Sequence, residues 1–75
     1  MPVEVDCTFD EDGRVRVRRI RLSRPWQIVE QGRQWADAEG RHVLLMLPNG
    51  AHELLLRAET LTWELRELPG MRRLM

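Results

Sequence analysis

Few side chains in this sequence could act as nucleophiles, and none has the neighbours that catalysis needs. A serine nucleophile requires a base and a group that orients the base. Ser23 stands beside Arg24-Pro25, a pair typical of a turn, and no histidine is near it in sequence. Cys7 shares a predicted inward strand face with Val5, which favours a small core residue over a reactive thiolate. Because the chain has no lysine, Schiff-base chemistry and a phosphate-loop lysine are excluded.

The two histidines, His42 and His52, are candidate metal ligands, and we place them on opposite arms of one predicted hairpin. With residues 48–50 as its loop, His52 faces Met46, four residues from His42. At about 3.3 Å per residue the two histidines stand roughly 13 Å apart, which is too far to share an ion. We therefore expect solvent-exposed or hairpin-edge histidines and no metal site.

Carboxylates are abundant, but their arrangement does not favour a reaction. The segment 10–13, Asp-Glu-Asp-Gly, begins like a calcium loop yet lacks the later ligands and the closing glutamate. Glu64 and Glu67 lie on a polar face, and no apolar pocket is evident that would favour their protonated forms. The sequence predicts no enzyme and no cofactor.

A run of arginines offers a binding chemistry. Every basic residue is arginine, and residues 14–24 contain several of them with no acid between. Arginine beside exposed aromatic rings is how small barrels hold single-stranded nucleic acid. The alternative is a solvated surface that neutralises itself, since the net charge of the chain is zero, which argues against tight nonspecific binding. The candidate nucleic-acid-binding residues are Arg16, Arg19, Arg24, Arg33 and Trp35.

A second candidate surface is rich in leucine. Residues 43–47 are all apolar, and residues 54–56 face them across the predicted hairpin. Strands of this kind cannot place every side chain on one face, so either both faces are covered or an apolar patch remains for a partner. The candidate protein-binding residues are Leu44, Met46 and Leu55, and the partner is either another protein or a second copy of the chain.

The first hairpin is the clearest structural element. Residues 3–9 alternate apolar and acidic or polar side chains, and residues 15–22 alternate apolar residues with arginine. The parity of the second run slips at Arg18-Arg19, which predicts a β-bulge. The resulting register sets Phe9 opposite Val15 and Asp6 opposite Arg18. Residues 11–13 suit a three-residue loop with its glycine in the left-handed conformation.

The rest of the chain predicts further strands at 26–32, 41–47, 53–57 and 61–66, separated by turn signals. Residues 53–68 also fit helical spacing, so a C-terminal helix stays open as an alternative. The predicted core consists of Val5, Cys7, Phe9, Val17, Ile20, Trp26, Ile28, Leu61, Trp63 and Leu65.

Composition sets the outer limits. A chain of 75 residues with 43% apolar residues is one small domain with a thin core. A single cysteine excludes an internal disulfide and favours the cytoplasm. The sequence starts without the basic and apolar segments of a signal peptide, and the apolar run at 43–48 is too short to span a membrane.

Part of the sequence has a familiar pattern of spaced tryptophans, a glycine turn and a Glu-Leu pair. Its residues are Arg24-Pro25-Trp26-Gln27-Ile28-Val29, Arg33-Gln34-Trp35, His42-Val43-Leu44, Asn49-Gly50, Glu53-Leu54 and Trp63-Glu64-Leu65. This pattern resembles a small uncharacterised bacterial domain that accompanies Y-family translesion DNA polymerases and related repair proteins. The resemblance implies a small β-barrel and an association with DNA repair, and it carries no catalytic residue.

Taken together, the sequence predicts an all-β fold: a small antiparallel SH3-like barrel or curled sheet of five or six strands, with an α+β fold as the alternative. Residues 1–68 form the domain and residues 69–75 a C-terminal tail. We expect a noncatalytic binding module, whose partner is single-stranded nucleic acid or a DNA-repair protein.

Overall fold

Two antiparallel sheets form the protein, as seen in a computed structural model that describes residues 2–23 and 25–68. The first sheet has the strand order β1-β2-β3, and the second has the order β4-β5-β6-β7. The strands are β1 (Glu4–Phe9), β2 (Val15–Arg21), β3 (Gln27–Ile28), β4 (Glu30–Ala36), β5 (Gly40–Leu47), β6 (Gly50–Arg57) and β7 (Trp63–Glu67). The all-β prediction is confirmed, and the predicted tail at 69–75 lies outside the described residues.

The described residues contain seven strands where five or six were predicted, because the predicted third strand divides at Val29. The backbone N–H of Val29 donates to the carbonyl of Arg18 at 3.2 Å, and its side chain is buried. Before Val29 the chain pairs with β2 in the first sheet, and after it the chain pairs with β5 in the second. This residue therefore marks the crossing between the sheets.

The first hairpin has the predicted bulge with one difference in register. Phe9 pairs with Val15 as expected, and the ladder shifts between Asp6 and Cys7 so that Arg18 is left without a partner of its own. Asp6 pairs with Arg19, not with Arg18 as predicted. The reason is that Arg18 is the extra residue of the bulge, so Arg19 takes the position opposite Asp6.

The turn of this hairpin follows from its glycine. Gly13 has a φ of 82°, in the left-handed region that glycine enters without strain. Its N–H donates to the carbonyl of Asp10 at 3.0 Å, and the N–H of Asp10 donates to the carbonyl of Arg14 at 2.9 Å. The turn is thus closed by backbone bonds, as the three-residue loop predicted.

The second sheet resolves the choice between strand and helix at the C-terminal side. Residues 50–57 and 63–67 are strands and not a helix. Among the described residues, no helix is long and apolar enough to cross a membrane. The β5–β6 turn holds two residues, Pro48 and Asn49, so Leu47 pairs with Gly50. The predicted three-residue loop was therefore one residue too long, and His52 pairs with Leu45 instead of Met46.

The core lies between the inner faces of the two sheets. Ile20, Leu45 and Leu54 are fully shielded from solvent, and other buried apolar side chains pack with them. The predicted core residues Val17, Ile20 and Leu65 are buried. Others among them, Val5, Cys7 and Trp63, are partly buried and pack against this cluster.

Three predicted core residues lie on the surface. Ile28 is 84% exposed because it pairs with Arg19, which points outward, while the adjacent Val29 takes the inward position. Leu61 is 72% exposed because it sits in the turn between β6 and β7, with a φ of 58°. Phe9 is 51% exposed because it ends β1, where the second sheet does not cover it.

The sheets meet along one seam through two glutamine side chains. Gln31 accepts a hydrogen bond from the N–H of Val17 at 2.7 Å and donates to the carbonyl of Val15 at 2.9 Å. Gln34 accepts from the N–H of Val15 at 2.9 Å and donates to the same carbonyl at 2.8 Å. At this edge of β2 the two amides take the place of a neighbouring strand. They supply the hydrogen-bond partners that the buried backbone groups of β2 need.

A second, narrower seam joins the first strand to the last. Pro2 forms an isolated antiparallel bridge with Glu64, and the N–H of Val3 donates to the carbonyl of Trp63 at 3.3 Å. The sheets thus touch at both sides, but neither seam is a continuous ladder. The fold is a pair of curled sheets and not a closed barrel.

Candidate functional site

A groove of about 640 Å³ opens where the first hairpin meets β4. Phe9 and Arg14 line it at the hairpin end, Arg16 lines it from β2, and Gln31 and Gln34 form part of its wall. The groove exists because β4 contacts β2 at this seam through glutamine side chains. These side chains hold the two backbones further apart than direct strand pairing would. It therefore combines an aromatic ring, two guanidinium groups and amides in one concave surface.

The charges of this groove are available for a ligand. The side chains of Arg14 and Arg16 are exposed, and no carboxylate of residues 2–23 or 25–68 lies within ion-pair distance of either. Asp10 also lines the groove, but its Oδ1 atom accepts hydrogen bonds from the backbone N–H groups of Asp12 and Arg14, both at 2.9 Å. This carboxylate stabilises the turn and leaves the guanidinium groups without an internal partner.

Arg19 does not belong to this groove. Its Nε donates to Asp6 at 2.8 Å, and Arg21 donates to Glu4 at 2.6 Å through Nη2. Both guanidinium groups also lie over the ring of Trp26, at 4.7 and 5.0 Å from its centroid. Arg19, a candidate for nucleic-acid binding, is thus engaged by an internal carboxylate, because the bulge aligns it with Asp6.

The remaining predicted nucleic-acid residues fall elsewhere. Arg33 lies over the ring of Trp35 at 5.2 Å, and Trp35 stacks on the ring of His42 at a centroid distance of 5.1 Å. Neither Arg33 nor Trp35 lines the groove. Arg24 lies outside the described residues. Of the four predicted residues that the structure describes, the groove includes Arg16 alone.

The predicted protein-binding set is divided by burial. Met46 is 46% exposed and Leu44 is half-buried, but Leu55 is fully buried. In the neighbouring strands Leu55 pairs with His42 and Glu64, on a sheet face that carries polar and charged side chains. Leu55 therefore cannot contribute to an exposed patch.

A polar network covers much of the outward face of the second sheet. Glu64 accepts from Arg57 at 2.7 Å and from Arg66 at 3.2 Å, and Arg66 also donates to Glu39 at 3.1 Å. Burial disfavours the charged form of Glu64, but the positive charge of Arg57 and the bonds from both arginines outweigh it, so the pKa of this carboxyl is lowered. These ion pairs join β6, β7 and the β4–β5 turn on this face.

The buried centre of this network is His42. Its Nε2 lies 2.8 Å from Oδ1 of Asp37, and its Nδ1 contacts Oε2 of Glu53. The ring is 3% exposed, so the expectation of an exposed or hairpin-edge histidine is wrong. His52 is also buried, at 7% exposure, with Nδ1 lying 3.1 Å from the carbonyl of Gly50.

The electrostatics of His42 follow from this geometry. Burial disfavours the imidazolium form, but hydrogen bonds to Asp37 and Glu53 outweigh burial and raise the pKa of His42 above its ordinary value. The hydrogen bond from the same ring lowers the pKa of Asp37. The two carboxylates thus favour the protonated form of the ring that bridges them.

Asp37, Glu39 and His42 bring one ligand atom each to within 4.8 Å of one another. Carboxylate and imidazole donors of this kind are able to coordinate a divalent metal ion. The sequence reasoning missed this set because it compared only the two histidines. The spacing Asp-x-Glu-x-x-His across a predicted turn was the signal that could have found it.

Cys7 is half-buried on the inner side of β1 and is free of a disulfide. Burial, together with the negative charge of Asp6, raises the pKa of its thiol. A raised pKa keeps the thiol protonated, which is the opposite of what a nucleophilic cysteine requires.

Comparison with protein-family models, with curated proteins and with solved structures gives no match for this chain. The resemblance to a domain associated with Y-family polymerases therefore stays a prediction, as does the SH3-like class.

Proposed function

We propose that this chain is a noncatalytic binding module that holds a short segment of single-stranded nucleic acid in the groove between the first hairpin and β4. The observation that carries the proposal is the exposed ring of Phe9 beside Arg14 and Arg16, two arginines without an internal carboxylate partner. Proteins that bind single strands combine cationic side chains along the backbone path with aromatic rings on which bases stack.

Each group in the groove has a matching role. The guanidinium groups of Arg14 and Arg16 are suited to phosphate oxygens, because arginine presents planar donors to them. The ring of Phe9, 51% exposed, offers a face to a base. A groove of about 640 Å³ is within the size range of pockets that hold small ligands, so a short segment of a strand is the occupant that we propose.

The charge balance of the protein limits the affinity. Arg19 and Arg21 are engaged by acidic side chains, and the net charge of the chain is zero. Two phosphate contacts on a single strand correspond to a salt slope, d log K/d log[salt], of about −1.4. We therefore expect weak binding that falls as salt rises.

The proposed setting is an accessory role beside a DNA-repair enzyme in the cytoplasm. It is supported by the sequence resemblance to the polymerase-associated domain and by a groove that combines arginine side chains with an aromatic ring. A module of this kind would add weak strand contacts to a larger enzyme, where tethering raises the effective concentration of the strand.

The test is a fluorescence-anisotropy titration of a labelled oligothymidine with the full chain at several salt concentrations. Arg16→Gln should weaken binding and reduce the magnitude of the salt slope by about 0.7, since one phosphate contact is lost. Phe9→Ala should weaken binding without changing the slope, because stacking releases no counterions.

The matched control is Arg18→Gln, which removes another exposed arginine two residues away, outside the groove. It should leave the slope unchanged. Absence of binding at low salt, or equal effects of Arg16→Gln and Arg18→Gln, would refute the groove. Sedimentation of the free domain would then test self-association through Leu44 and Met46, the accessible part of the predicted protein-binding set.

A further inference from the structure

We propose that Asp37, Glu39 and His42 form a binding site for a divalent transition-metal ion, with Zn²⁺ as the ion that fits the donor set. This proposal does not depend on nucleic-acid binding, because Asp37 and Glu39 lie in the β4–β5 turn and His42 lies on β5, and none of the three lines the groove. It rests on the convergence of the donors, on the orientation of the imidazole, and on the rigidity of the turn that carries them.

The turn between β4 and β5 brings the donors together. The backbone N–H of Asp37 donates to the carbonyl of Gly40 at 2.9 Å, and the N–H of Gly40 donates back to Asp37 at 3.2 Å. Gly40 has a φ of 147°, and a Cβ atom there would lie 1.9 Å from the carbonyl oxygen of Leu56. These contacts restrict the backbone of the turn that carries Asp37 and Glu39.

Distances between the donor atoms suit a small ion after a minor adjustment. All three ligand atoms lie within 4.8 Å of one another, and Oδ1 of Asp37 lies 2.8 Å from Nε2 of His42. Zinc–ligand bonds of about 2.0–2.2 Å in a tetrahedron separate neighbouring ligand atoms by about 3.3 Å. An opening of about half an ångström at the Asp37–His42 contact would admit the ion.

The imidazole of His42 is already oriented as a ligand. Glu53 contacts its Nδ1, so a proton on Nδ1 is donated to that carboxylate, and release of the Nε2 proton on metal binding would leave a lone pair directed towards Asp37. Zinc-bound histidines typically donate their second ring nitrogen to a carboxylate in this way. Trp35 stacks on the ring with an interplanar angle of 2°, which restricts its rotation.

The surroundings allow an ion to enter and balance its charge. Asp37 and Glu39 are exposed, so the open side of the site faces solvent, while His42 closes the inner side. Arg66 binds Glu39 through Oε2 at 3.1 Å, which leaves Oε1 for the metal.

An imidazole with two carboxylates favours Zn²⁺ and similar ions over Ca²⁺ and Mg²⁺, which prefer oxygen donors alone. The fourth position would hold water.

The experiment is isothermal titration calorimetry of the full chain with zinc chloride, after removal of metal ions with a chelator. We expect one Zn²⁺ per chain. Asp37→Asn and Glu39→Gln should each weaken binding at least tenfold, and both positions are exposed, so circular dichroism should show the native fold. Glu53→Gln should weaken binding by about 10- to 100-fold, because it removes the group that orients the imidazole.

Two further variants locate the ion. Glu59→Gln changes an exposed carboxylate outside the cluster and should leave the affinity unchanged. Co²⁺ should quench the fluorescence of Trp35, which stacks on His42, and Trp35→Phe should remove most of the quenching while Zn²⁺ still binds. Two results would overturn the site. One is the absence of binding at tens of micromolar Zn²⁺, and the other is Zn²⁺ binding that survives Asp37→Asn and Glu39→Gln together.

Discussion

Replacing Gln31 with methionine tests how the two sheets are held together. Methionine keeps the length and shape of the side chain but removes the acceptor of the Val17 N–H bond at 2.7 Å. Val17 is 5% exposed, so water does not readily replace that acceptor. A buried N–H without a partner costs about 1–3 kcal/mol. The Val15 carbonyl is still satisfied, since it also accepts from Gln34 at 2.8 Å.

The double variant Gln31→Met with Gln34→Met should cost more than the sum of the two single variants. Either glutamine alone satisfies the Val15 carbonyl, and the carbonyl loses both donors only when both side chains are replaced. We expect an unfavourable coupling energy of about 1–2 kcal/mol. A domain of this size has a free energy of unfolding of about 4–11 kcal/mol, so the double variant should be close to unfolded.

Urea denaturation measures these costs. With a slope of about 1 kcal/mol/M for a small domain, the midpoint of Gln31→Met should fall by roughly 1–3 M. Hydrogen exchange of the Val17 amide should accelerate more than that of amides in β5 and β6. Gln27→Met is the matched control, because the Gln27 side chain makes no hydrogen bond among the described residues. A cost below about 0.5 kcal/mol for Gln31→Met, or additive single variants, would refute the seam.

Three other predictions concern the core, the buried histidine and the thiol. Leu54→Ala should cost about 2–5 kcal/mol in urea denaturation, because Leu54 is fully buried, whereas Ile28→Ala, at 84% exposure, should cost less than about 0.5 kcal/mol. The raised pKa of His42 means that its contribution to stability is fully present below pH 6.5 and is lost as pH rises through the folded-state pKa. Denaturation in chelator between pH 5 and 9 should show this decline, and a variant Asp37→Asn should flatten it; an unchanged slope would contradict the bridged imidazolium. Cys7 should react with a thiol reagent at pH 8 more slowly in the native protein than in urea, since burial raises its pKa, and equal rates would contradict that environment.

The sequence contains enough local information for the first hairpin and the strand content. The alternation of side chains with period two and the parity slip at Arg18-Arg19 placed the bulge correctly, because both are properties of neighbouring residues. Gly13 likewise marked its turn through its own conformation. The wrong partner for Asp6 has a local cause as well. The parity slip is compatible with either Arg18 or Arg19 as the extra residue of the bulge, and Arg19 is the observed partner of Asp6.

The sequence was weaker at the short third strand and at the ends of strands. Trp26 and Ile28 are two residues apart and so belong to the same face of the predicted strand. The pattern alone did not show that this face points outward. Which face is buried depends on the second sheet, and the chain crosses to that sheet at Val29. Phe9 and Leu61 are apolar side chains at strand ends, where burial depends on whether another element happens to cover them.

Both candidate sites depend on contacts that no local pattern reports. The groove exists because Gln31 and Gln34 bond to a strand 14 to 19 residues away in sequence, and a glutamine gives no sign of such a role. His42 is buried because Glu53, on the next strand, and Trp35, on the preceding one, surround its ring. The sequence by itself determined the period and type of the strands, since these follow from adjacent residues. Only the tertiary structure decided which polar side chains are shielded from water and paired, because that depends on which strands become neighbours.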